Sequence, residues 1–229
     1  MKSDSTTQMV YFNTITAIVI LFATILTITK PSYAAEQNVS FRLKWSSDDL
    51  TQDRLNVRTD LKRLVESELK QTFAGVQKKL RDPEIIKAVK EANVKHLNIS
   101  REEIRRLDRT WQNEKTEAGL VTEVTKAPCS KILKRLQGTN REYAEIFVTD
   151  AKGLNVCATN KTTDYYQADE EWWKTAAQGK TSHGGIAYDE SAKTFAVGTY
   201  IPIVDTEKNK VIGVAKALLR VSKKLRGKI

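Results

Sequence analysis

Between Thr159 and Ser191 the chain gathers Tyr165, Tyr166, Trp172, Trp173 and Tyr188, with Asp164, Asp169, Glu170, Glu171 and Asp189 among them. Rings supply buried contact area and a few carboxylates fix polar hydrogens, so this mixture suits a small ligand in a hollow. A cationic ligand would gain a further ~0.5–2 kcal/mol from each ring it faces. The ligand contacts expected from this segment are Tyr166, Asp169, Trp172, Trp173, Tyr188, Asp189 and Ser191. Plainer roles compete with that reading. Trp173 and Tyr166 could be core, and the acids could start a solvated helix, where negative charge is favourable. Glu170 and Glu171 are assigned to the helix start; Tyr166, Asp169, Trp172 and Asp189 are assigned to the pocket.

Other constellations carry less chemistry. Gly179-Lys-Thr-Ser182-His183-Gly184 has one residue too many for G-x-S-x-G, and a Ser-His adjacency does not put a base on the hydroxyl. It is read as a polar turn before a strand. Gly179-Lys180-Thr181 resembles the end of a phosphate loop, but Lys174 stands where the earlier glycine is required. Asp164, Asp169 and Asp189 lack the spacing of a calcium loop. His96 and His183 are too few and too far apart for a histidine metal centre. No catalytic residue, metal or cofactor is therefore expected. Asp169 and Asp189 acting as an acid–base pair in a secreted hydrolase remains an alternative.

The composition, 40% hydrophobic and 29% charged, is that of a globular chain. An uncharged run from Ile15 to Ile28 follows Lys2 and precedes Pro31, with Ser32 and Ala34 placed for cleavage after Ala34. This is the pattern of a secretory leader over residues 1–34. The alternative is an uncleaved inner-membrane anchor over residues 9–28. Either way a periplasmic or secreted location is expected. Cys129 and Cys157 would then meet an oxidising space, where they could form a bridge or stay as two buried thiols. The net charge is +10, but export makes nucleic acid an improbable partner. The basic tail, residues 222–229, could touch a membrane surface weakly, or simply be solvated.

The elements that must hold the aromatic segment fall into two periodicities. Leu61, Val65, Leu69, Phe73, Val76 and Leu80 form a helical stripe. Asp82-Pro83 ends that helix and starts another, with Ile85, Ile86 and Val89 buried. Ser100-Arg-Glu-Glu103 reads as a reciprocal capping box ahead of Ile104, Leu107 and Trp111. Arg101, Arg105, Arg106 and Arg109 make a solvated cationic face. Pro128 opens a last helix, stopped at Gly138-Thr-Asn140. From Tyr143 the pattern is strand, turn at Asp150–Gly153, strand, a short helix over 170–178, then three strands near 185–189, 194–204 and 210–219. The prediction is an α+β domain with a five-stranded antiparallel sheet.

EIFVTDAKGLNVCATNKTTDYYQADEEWWKTAAQGK (145–180), IAYDESAKTFAVGTYIPIVD (186–205) and KVIGVAKALL (210–219) resemble the extracytoplasmic Cache, or PDC, sensor domains. The resemblance covers about Leu50 to Val221. It implies a PAS-like sheet with a long N-terminal helix, a small-molecule pocket on one sheet face, and a sensory role. The organisation it implies is a helical region over 35–140 and a ligand-binding sheet over 141–221. The chain ends at Ile229, which suggests an exported module without its own output domain. A membrane-anchored accessory subunit serving a separate receptor or kinase is the alternative. Amino-acid-binding members carry a tyrosine and a carboxylate-clamping arginine before the paired aromatics; here Ala168 and Glu170 stand there. An amine, a polyol or another metabolite without a clamped carboxylate is the ligand this comparison implies.

Overall fold

The computed structural model describes residues 52–115, 119–189 and 192–221. The leader or anchor, the basic tail and Ser191 lie outside these residues. Helices α1 (Gln52–Lys79), α2 (Pro83–Lys95), α3 (Arg101–Asn113), α4 (Gly119–Thr125) and α5 (Pro128–Thr139) come first. Strands β1 (Tyr143–Asp150) and β2 (Asn155–Ala158), helix α6 (Glu171–Ala177), and strands β3 (Ser182–Asp189), β4 (Thr194–Asp205) and β5 (Lys210–Arg220) follow. The strands form one antiparallel sheet in the order β2-β1-β5-β4-β3. This is the expected α+β architecture with a PAS-like sheet. No helix among the described residues is long and apolar enough to cross a membrane.

Local chemistry explains the element ends. Asp82 accepts from the Glu84 amide at 3.1 Å, and Pro83 occupies a first-turn position where no amide is needed. Ser100 Oγ accepts from the Glu103 amide at 3.1 Å. The returning half of the capping box is not made, because Glu103 turns to Arg106 Nε at 2.8 Å and Nη2 at 2.6 Å. That pairing raises Arg106 and lowers Glu103 from their ordinary values. The β1–β2 turn requires Gly153, whose φ is +85° and which lies against the Ala168 backbone.

Alternate strand residues serve opposite faces of the sheet. On one face Ile146, Val148, Val197, Ile201, Ala215, Ala217 and Leu219 pack with Leu69, Phe73, Val76 and Leu80 of α1, Ile85 and Val89 of α2, and Ile132 and Leu133 of α5. The side chains of Leu61 and Val65 lie outside the described residues. Cys129 on α5 and Cys157 on β2 form a disulfide within this core. The other face is covered by α3, α4 and α6. Trp111, Val121, Val124, Phe147, Leu154, Ala158 and Tyr165 form one cluster there. Trp173, Ala176 and Val214 form another.

Candidate functional site

The middle of this second face carries a cross-strand row. Lys216 on β5 is in register with Phe147 on β1 and Tyr200 on β4, so the three side chains leave the sheet on the same side. Helix α6 lays Trp172 over the row. Its indole stacks on Tyr200 at 5.0 Å and 19°, and meets Phe147 edge-on at 6.1 Å. Lys216 Nζ stands 5.3 Å from the centre of the Trp172 ring and 5.9 Å from that of Phe147. It makes no hydrogen bond or ion pair with any described residue. Burial raises the Tyr200 phenol above its ordinary range, and the charge of Glu170 adds to the rise. The group therefore stays a neutral donor.

Trp173 points into the same layer but is structural. It is 9% exposed, packs on Val214 and Ala176, and donates from Nε1 to Thr149 Oγ1 at 2.8 Å. Tyr166 is half-buried at the edge of the Trp111 cluster. Its amide and that of Tyr165 donate to Asp108 Oδ1, at 3.1 and 2.8 Å. Asp108, on α3, thus fixes the chain path into α6. We expect Asp108→Ala to cost about 1–3 kcal/mol, since two amides lose their acceptor; urea unfolding would measure it.

The other expected contacts do not converge on this row. Asp169 is exposed in the turn before α6. Its neighbour Ala168 lies against Gly153, at the sheet end where Asp150, Gly213 and Ile203 are in register. Asp189 pairs with Thr194 at the opposite end of β4. Nine residue steps along β4, from Thr194 to Ile203, separate those levels, roughly 30 Å at the strand rise. The acid–base pair needed by the hydrolase alternative is therefore not assembled. Asp189 instead accepts the Ala192 amide at 2.9 Å within its turn. Tyr188 lies on the opposite face of the sheet, 49% exposed, packed edge-on against Phe195 at 5.4 Å. A stretch of sequence that is dense in rings is thus dealt to two faces and two ends of the sheet.

Ser182 and His183 are successive residues of β3 rather than a turn, so their side chains diverge. His183 Nδ1 donates to the Gly184 carbonyl at 2.7 Å. Glu170 and Glu171 are exposed at the start of α6, and Glu171 pairs with Lys174 at 2.6 Å. Sequence reasoning missed Phe147, Tyr200 and Lys216, which come from strands rather than from the aromatic segment. The one available signal was a lysine at the centre of the apolar run Lys210–Leu219.

No family model matches this chain, and no curated protein matches it. Solved sensor domains are similar to it. One is the sensor domain of the V. cholerae histidine kinase DctB, at 12% identity over 77% of this chain and 59% of that one, TM-score 0.46. Another is the ligand-binding domain of the Campylobacter jejuni chemoreceptor Tlp3 in complex with 4-methylisoleucine, at 14% over 78% and 62%, TM-score 0.42. A third is the E. coli DcuS sensor domain, at 18% over 56% and 92%, TM-score 0.35. The chain spans about three-fifths of the length of the first two.

Proposed function

We propose that the chain is an extracytoplasmic ligand-binding sensor module of the Cache type. Its ligand is a small carboxylate-bearing metabolite, taken against Phe147, Trp172 and Tyr200 with Lys216 as the polar anchor. The observation that carries the ligand class is the Lys216 ammonium, partly buried over two rings and without a carboxylate partner among the described residues. A cation in that position occupies the electron-rich faces that an amine would need and repels a second positive charge. This turns the ligand preference expected from Glu170 towards an anion. The Cys129–Cys157 bridge supports the extracytoplasmic part of the reading, since such bridges persist in oxidising compartments.

Calorimetry against short-chain carboxylates, the matching amides and the matching amines tests the ligand class. Carboxylates are expected to bind, and Lys216→Met to weaken them more than about tenfold, the worth of one charge-assisted hydrogen bond. Lys216→Arg should retain most of the affinity. Binding of the amines alone, or carboxylate binding unchanged in Lys216→Met, would overturn the proposal.

A further inference from the structure

A cavity of about 570 Å³ lies away from the Lys216 row, between the end of α2, the loop that follows it, α3, α4 and Tyr165. Its size is ordinary for a small-molecule site. Two polar side chains line it from positions more than nine-tenths buried: His96 at 6% exposure and Tyr165 at 3%. Each carries a polar atom with no partner among the described residues. His96 Nδ1 faces Asp150 Oδ2 at 2.6 Å, which leaves Nε2 unbonded. Asp150 is itself held by the Lys152 and Leu154 amides, at 2.8 and 3.0 Å on Oδ1. Nδ1 is thus taken up by Asp150, and Nε2 is the ring nitrogen left to meet a ligand. The Tyr165 hydroxyl is likewise unbonded, and burial with the nearby Asp150 and Glu123 charges raises its pKa, so it stays a donor.

The rest of the cavity is apolar or already neutralised. Ile99, Leu107 and Leu120 wall it. Val94 and Leu97 edge it at 77% and 66% exposure, the two most exposed large hydrophobic side chains among the described residues. The charged residues of the lining are spent on each other: Lys95 on Glu123 at 2.9 Å and Arg106 on Glu103 at 2.6 Å. A hydroxyl or a primary amide both donates and accepts, so either group can meet His96 Nε2 and the Tyr165 hydroxyl together. A carboxylate would add a negative charge near Asp150, Glu103 and Glu123.

We infer that this cavity is a second ligand site, one that takes a small uncharged amphiphile. Its hydroxyl or primary amide sits at His96 Nε2 and the Tyr165 hydroxyl, and its apolar body runs along Leu107 and Leu120 towards Val94 and Leu97. The site shares no residue with the Lys216 row, so it stands or falls separately.

Amide NMR spectra of the labelled protein, titrated with hexan-1-ol, hexanamide and hexanoate, decide the matter. The alcohol and the amide are expected to shift Leu97, Ile99, Leu120 and Tyr165, and hexanoate to leave them in place. Tyr165→Phe should weaken the alcohol roughly three- to tenfold, the worth of one hydrogen bond. Leu120→Trp should fill the cavity and abolish the shifts. If Tyr165→Phe does not fold, the Leu120→Trp variant decides alone. Shifts from none of the three probes, shifts centred on Trp172 and Lys216, or alcohol binding that persists in Leu120→Trp would each overturn the inference.

Discussion

Trp111→Ala is expected to destabilise the protein by about 3–5 kcal/mol and to lower its melting temperature by roughly 10 °C. The indole is fully buried and packs on Tyr165 with ring centres 5.4 Å apart. Its Nε1 donates to the Thr162 carbonyl at 2.8 Å. Truncation therefore opens a large void and orphans a carbonyl in one step. The same carbonyl segment leads to Thr162 Oγ1, which donates to the Asp164 carbonyl at 2.6 Å and accepts from Asn155 Nδ2 at 2.8 Å. The damage should thus spread into residues 162–166. Trp111→Phe separates the two causes, since it keeps most of the ring and drops only the hydrogen bond; a loss of about 1–2 kcal/mol is expected there. Thermal unfolding followed by circular dichroism reads both variants. A Trp111→Ala protein that melts with the wild type would show that the second-face core contributes little to stability.

Replacing both Cys129 and Cys157 with alanine should cost about 3–4 kcal/mol. The bridge closes a loop of sequence separation 28, and the loop-closure entropy it removes from the unfolded chain comes to that order. The bridge ties α5 to β2, the short strand at the sheet edge, whose own pairing with β1 is broken by a register shift at Val148/Thr149. An edge strand of four residues has little else to hold it. Melting curves with and without a thiol reductant give the check. Wild type should fall to the level of the double variant when reduced, and the double variant should not respond. A reductant that leaves the wild-type curve unchanged under denaturing conditions that expose the bridge would contradict this account.

The fold was legible because its signals are local. The apolar stripe ending at Leu80, the Asp82-Pro83 break, the Ser100 cap and the Asp150–Gly153 turn each report on a few neighbouring residues, and each recurs in the structure where the spacing puts it. Helix α4 carries no such signal, because seven residues give too few turns for a period to show. The candidate site was only partly legible. Trp172 belongs to it, but its ring partners Phe147 and Tyr200 and the cation Lys216 meet through strand register, which sequence proximity does not encode. Tyr188 and Asp189 follow soon after Trp172 in sequence. The strand between them reverses the face of one and carries the other to the far end of the sheet.

Residues that neighbour each other along a strand here belong to separate interiors: Phe147 faces Trp172 while Ile146 and Val148 face the long helices, and Lys216 sits between Ala215 and Ala217 in the same way. The Lys216 row and the scaffold are thus written in alternate letters of the same strands. Under the proposed ligand reading, substitutions at 147, 200 and 216 would retune specificity while the other lettering stays intact, which makes these three positions the natural ones to randomise.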